Sequence, residues 1–322
     1  MNRLSGLMLL FALVVIWAGA PANSQEKPPA WAYPVNPPDF KAPADEGAHR
    51  QVPGSTLKLT LTEVRDLFFS PDWHPSDHPA QPEIVARGRK PEVYACGFCH
   101  RADGPGGPEN ANLMGLSAAY IAQQLADFKT GARKSAVMDR APMRLKIRLA
   151  KAATDDEVAL AAGYFASIKP RSVIRVVESK MVPKTVVAGW FLVVDSAASG
   201  TEPIGDRIVE IADELERFVS RDARVTFTAF VPDGSIQIGR DLAARKGVGD
   251  TTCATCHGAD LKGAGDIPGI AGRSPTYTFR QLFDYKHGFR AGPGSAAMKP
   301  SVEKLNTNEM IALSAYLGSL AP

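Results

Sequence analysis

The sequence predicts a mainly α chain: two copies of one small helical unit, a β-rich module between them, and a proline-rich N-terminal arm. Three observations carry this. The five residues Cys96-Gly97-Phe98-Cys99-His100 recur as Cys253-Ala254-Thr255-Cys256-His257. Shifting the first copy by 157 residues lays 96–133 on 253–290 without a gap, and fifteen of the 38 positions are identical. Between the copies, 171–232 turns to runs of Val, Ile, Thr and aromatics. A duplication of this kind makes each half one folding unit.

In chain order, 1–22 reads as a secretory signal peptide. Arg3 gives a positive start, Leu7 to Ala20 is apolar, and Ala20-Pro21-Ala22 offers a small-residue cleavage site. A retained anchor is the competing reading, although the apolar run is short for a span of about 20 residues. Residues 25–80 form the arm. Its ten prolines from Pro28 to Pro79 fix φ and remove donors, so regular structure should be scarce. Thr60 to Phe69 is the exception, with Leu61, Val64, Leu67 and Phe68 at helical spacing. Trp31, Tyr33 and Trp73 imply that the arm packs on a folded body. Asp72, His74, Asp77 and His78 could hold a metal, but Pro71, Pro75 and Pro79 make a structural loop the plainer reading.

Residues 81–170 should be the first helical unit, with helices at Ala118–Thr130 and Asp155–Ile168. In 171–232, runs near Val173–Val177, Thr185–Val194, Arg207–Ile211 and Arg224–Val231 read as a few antiparallel strands with Trp190 in their core. Residues 233–322 should be the second unit, with helices at Thr276–His287 and Thr307–Leu317.

The bulk numbers narrow the function. The 322 residues allow two or more domains, and 45% hydrophobic content is ordinary globular composition. A formal charge of +3 falls to +2 without the first 22 residues, too near neutral to argue for nucleic acid. The repeated motif uses all four cysteines, leaving none for a disulfide or a thiol nucleophile.

Cys-x-x-Cys-His is the attachment pattern for c-type haem. Two thiols three positions apart reach the two vinyl groups of one porphyrin, and the adjacent histidine supplies an imidazole to the iron. Zinc binding and a redox dithiol use related cysteine pairs and stay open as alternatives. The thioether residues would be Cys96 and Cys99, then Cys253 and Cys256; the proximal ligands would be His100 and His257. A sulfur ligand on the other side raises the potential and suits electron transfer. In the second half Met298 stands in a Gly/Pro/Ala-rich loop, eight residues after Arg290 and eighteen before Tyr316. In the first half Met143 is ten after Arg133 and twenty-one before Tyr164; Met138, five and twenty-six away, is the alternative. Met114 falls opposite Ala271, not Met298. Arg133 and Arg290 either neutralise haem propionates or face solvent.

The string Cys-x-x-Cys-His-x-Ala-Asp, then Tyr-x-x-x-Gln-Leu-x-Asp-aromatic-Lys-x-Gly-x-Arg, then a methionine and Ala-x-Tyr, resembles the class I dihaem cytochromes of the c4 kind. That resemblance covers roughly 84–168 and 237–320. It implies two class I cytochrome c folds, two covalently bound haem c groups, His/Met axial pairs, and electron relay in the bacterial periplasm. An electron carrier needs redox partner proteins as donor and acceptor and no acid, base or nucleophile, and beyond the signal no stretch of the sequence is long and apolar enough to cross a bilayer. The arm, the 171–232 module and a lengthened loop between Arg133 and Tyr164 depart from the pattern, and the module puts close packing of the two halves in doubt. Three functions fit: a free electron carrier, a cytochrome subunit of a larger oxidoreductase, or a dihaem peroxidase, which would need one open iron site.

Overall fold

The computed structural model describes residues 26–245 and 251–322, so the expected signal peptide at 1–22 lies outside the described residues. In the arm, Thr60 and Glu63 form a capping box that opens α1 (Leu61–Arg65). The helix stops short of the predicted 60–69 because Asp66 takes extended backbone. Proline keeps the rest irregular, and the aromatics fasten it down. Trp31 lies 4.6 Å from Phe279, Tyr33 donates to Asp284 at 3.0 Å, and Trp73 Nε1 donates to the Ser220 carbonyl at 2.7 Å.

The first half contains α2 (Glu83–Ala86), α3 (Cys96–His100), α4 (Ala118–Thr130), α5 (Ala141–Ala152) and α6 (Asp155–Ser167). The Ser117 hydroxyl caps α4 by accepting from Tyr120 N–H, and Gly131 ends it at φ 79°. Thr154 and Glu157 box the start of α6. Helix α5 corrects the expected long loop. Pro142 sits in its first turn, where a missing N–H costs nothing, and good helix formers follow. Val85, Val93, Met114, Ile121, Leu149 and Phe165 pack at the centre of this half.

The module opens with β1 (Ile174–Glu178), β2 (Met181–Pro183), β3 (Thr185–Ala188), β4 (Phe191–Val194), β5 (Thr201–Pro203) and β6 (Val209–Ala212). It closes with α7 (Leu215–Val219) and β7 (Phe227–Val231). It is not purely antiparallel. The main sheet has the order β1-β7-β6, with β1 parallel to β7 (Ile174 opposite Phe227) and β6 antiparallel to β7 (Val209 opposite Phe230). A parallel pair needs a long crossover, and the chain between β1 and β7 supplies it. Trp190 is not core. Gly189 and Trp190, at φ 67° and 72°, make the two-residue turn of the β3–β4 hairpin. The Trp190 backbone is held there, its N–H donating to Asn36 Oδ1 and its carbonyl accepting from Arg140.

The second half runs α8 (Ser235–Ala244), α9 (Cys253–His257), the β8 (Gly263–Ala264) and β9 (Ile267–Pro268) ribbon, α10 (Pro275–Lys286), α11 (Ser295–Val302) and α12 (Thr307–Ser319). Ser274 caps α10 through Tyr277 N–H, as Ser117 caps α4, and Asn306 with Glu309 boxes α12 as Thr154 with Glu157 boxes α6. Helix α11 replaces the expected Met298 loop and carries Pro300 inside it. The core here is shared. Ala32 and Tyr33 from the arm and Ile208, Ala229 and Val231 from the module join Phe279 and Phe283 in one cluster.

The two halves meet directly, which answers the doubt that the intervening module raises about their close packing. Lys134 N–H donates to the Phe289 carbonyl and Ala291 N–H to the Ala132 carbonyl, both at 2.7 Å. Arg133 donates to Gln124, Gln281 and the Tyr277 hydroxyl; Arg290 donates to Gln281, Gln124 and the Tyr120 hydroxyl. The repeated residues therefore form a near-symmetric seam. That is a third role for the two arginines, neither of those weighed from sequence. Both are buried, at 8% and 5% exposure, and a buried guanidinium needs such acceptors.

Candidate haem sites

In α3 the three-residue spacing puts Cys96 and Cys99 one turn apart and places His100 at the helix end. The His100 ring is 5% exposed. Its Nδ1–H donates to the Ala111 carbonyl at 2.8 Å, which fixes the tautomer and leaves Nε2 as the free lone pair. In α9 His257 repeats this: Nδ1–H donates to the Pro268 carbonyl at 2.7 Å, also eleven residues downstream. Burial, and then the charge of Lys146, push the His100 ring well below its ordinary pKa, and burial lowers His257. Both imidazoles are held neutral, the state in which histidine binds a metal.

Cys96 and His100 open onto one cavity. Its walls are apolar, with Ile84, Leu113, Ile121, Leu125, Leu149, Val158 and Phe165 among them. A flat hydrophobic macrocycle tethered through two thiols fits such a wall, and a dry pocket is one lever by which a protein sets a haem potential. The other cysteine readings fit poorly. A reactive dithiol needs a lowered pKa, whereas burial pushes Cys96 up to about 11 and also raises Cys99 and Cys253. Among the described residues no group of three or more His, Cys, Asp and Glu stands together.

The methionines separate. Met114 is fully buried and its sulfur accepts from Arg171 at 2.9 Å, a core role. Met138 is 41% exposed in a turn. Met143 is half-buried in the first turn of α5 and is not among the residues lining the His100 cavity. In the second half Met298 on α11 and Cys253 on α9 pack against the same apolar cluster, the one centred on Phe279 and Phe283. Two polar residues near the first site were not foreseen. Arg221 donates to the Phe98 carbonyl at 2.9 Å and lies 3.6 Å over the Phe98 ring. Lys146 Nζ donates to His100 Nε2 at 2.8 Å. The 72–78 segment is a structural loop: His74 pairs with Asp222, and His78 with Asp72 and the Tyr164 hydroxyl.

Comparison with known proteins agrees with this chemistry. A cytochrome c family model matches residues 243–321. Cytochrome c-554(547) of Halothiobacillus neapolitanus is 36% identical over 88 residues, 25% of this chain and 97% of that protein. A thiosulfate dehydrogenase electron acceptor of Thiomonas intermedia (strain K12) is 25% identical over 236 residues, 71% of this chain and 80% of its own length. Cytochrome c4 of Azotobacter vinelandii is 23% identical over 248 residues, 76% of this chain and 91% of that one. With the repeated cysteine-histidine helices and neutral buried imidazoles in place, the chain belongs to the c-type cytochromes, as a dihaem, cytochrome c4-like protein with covalently bound haem c that works in electron transfer.

Proposed function

We propose that this protein is a periplasmic relay that passes single electrons from a donor dehydrogenase or respiratory complex to an acceptor. In this reading 81–170 and 233–322 are two cytochrome c domains, with the arm and the 171–232 module as additions. Each haem, when bound, supplies a one-electron iron couple. The chain does the rest. Cys96 and Cys99, and Cys253 and Cys256, tether the groups. His100 and His257 would each supply an imidazole to the iron, with Met298 as the further ligand in the second half. The apolar wall around His100 excludes water, and no residue has to move a proton. The observation that supports the reading is the near-symmetric Arg133/Arg290 seam, because it ties the two repeated halves to each other. A relay needs that fixed relation; two independent sites do not.

A second reading, a cytochrome subunit working beside a dehydrogenase, is favoured by the match to a thiosulfate dehydrogenase electron acceptor. It changes the partner and leaves the chemistry as it is. One comparison tests relay against peroxidase. The holoprotein is mixed rapidly with a one-electron reductant, and separately reduced and mixed with hydrogen peroxide. The relay predicts fast reduction of both haems and no catalytic peroxide turnover. Sustained turnover, with a high-spin ferric haem at rest, would mean the protein is an enzyme with an open iron site.

A further inference from the structure

We propose that the sixth ligand of the first haem is the amine of Lys146 rather than a methionine sulfur. The inference rests on the reading of His100 as the proximal ligand and adds the group across from it. Two independent observations carry it. The first is position in space. Lys146 Nζ stands 2.8 Å from His100 Nε2, the free ring nitrogen, inside the apolar cavity that Cys96 also lines. Among the described residues Lys146 makes no ion pair; Glu157 lines the same cavity, and its carboxylate is taken by Arg89 at 2.7 Å and by the α6 cap. The long stem lets the nitrogen draw back to admit a metal between it and the imidazole.

The second is position in the repeat. The capping boxes of α6 and α12 register the two halves independently of any haem. Met298 lies eight residues before the Asn306 cap, and Lys146 lies eight before the Thr154 cap. The register continues without a gap to Tyr164 and Tyr316. Lys146 therefore occupies the place of Met298, while Met143 falls one turn too early. Lysine must bind as the free amine, its proton leaving to solvent. A nitrogen donor in place of a thioether favours the ferric state, since methionine ligation is the arrangement that raises the potential. The first haem is then the lower-potential centre, and electrons run from the first half to the second.

The test is the methionine-to-iron charge-transfer band of the ferric holoprotein, normalised to haem content and paired with a potentiometric titration. The wild type is expected to show the band at one-haem intensity. Lys146→Met should raise it about twofold and move the lower potential upward, and Met143→Ala should change neither. A wild-type band of two-haem intensity that Met143→Ala halves would overturn the proposal and return the role to Met143. So would a Lys146→Ala protein with an unaltered spectrum and unaltered potentials. Failure of the underlying reading looks different: fewer than two covalent haems per chain, or a first haem whose spectrum survives His100→Ala.

Discussion

At the scale of single residues, Asp284 is a carboxylate held where water cannot reach. Burial raises its pKa from 3.8 to about 6, even though Oδ1 accepts from Ala136 N–H at 2.9 Å and the Tyr33 hydroxyl at 3.0 Å. A raised folded-state value means the folded chain binds this proton more tightly than the unfolded chain. Its contribution is therefore fully present below about pH 4 and is lost as pH climbs through 6. The shift corresponds to something on the order of 3 kcal/mol. Asp284→Asn keeps an acceptor oxygen for both donors and removes the titration. Denaturant unfolding at several pH values should show the wild type losing stability between pH 4 and 6 relative to this variant; parallel pH curves would contradict the assignment. The repeated cysteine and histidine positions were legible in sequence because the duplication preserves their spacing. Lys146 stands eighteen residues before Tyr164, as Met298 stands before Tyr316, but a search confined to methionines passes over it. The seam arginines were visible as repeats, but their acceptors lie in the other half, and no single repeat shows that.

At the scale of elements, close packing sets what each helix tolerates. Gly239 on α8 lies against α12 so closely that an added Cβ would stand 2.0 Å from the Ala312 carbonyl oxygen and 2.7 Å from Tyr316 Cβ. Gly163 in α6 is exposed and has nothing within 4 Å of the same position. One substitution should therefore have opposite signs at two helical sites. Gly239→Ala should destabilise by about 1–3 kcal/mol through overpacking. Gly163→Ala should stabilise by about 0.5–1 kcal/mol through lost backbone freedom in the unfolded chain. Chemical denaturation of both variants checks this, and two shifts of the same sign would contradict it. Helices with a capping signal and an apolar face, α4, α6, α10 and α12, fell within a residue or two of the sequence expectation. Helices α5 and α11 did not. Each carries a proline, Pro142 or Pro300, that argues for loop, and tertiary contacts decide the outcome for such segments. The parallel β1–β7 pair was hidden for a related reason: alternation reveals a strand, not its partner.

At the scale of the whole molecule, the added segments are structural parts rather than appendages. The arm and the module complete the apolar cluster of the second half through Ala32, Tyr33, Ile208 and Val231. The buried Glu210 carboxylate of β6 accepts from Ser274 and from Thr276 N–H at the start of α10. Arg221, just after α7, reaches back to Phe98 between the first pair of cysteines. The module thus touches α3 in the first half and the start of α10 in the second, while the seam of Arg133, Arg290, Gln124 and Gln281 binds the halves to each other. Among the described residues no helix is long and apolar enough to cross a membrane. These contacts hold the two halves in one relation, which the proposed relay requires: two one-electron centres at a fixed separation. A potentiometric titration of the holoprotein, followed by its visible absorption, tests that most directly. Two resolved one-electron steps, one per haem, are the expected result; uptake of a single electron per chain would contradict the account.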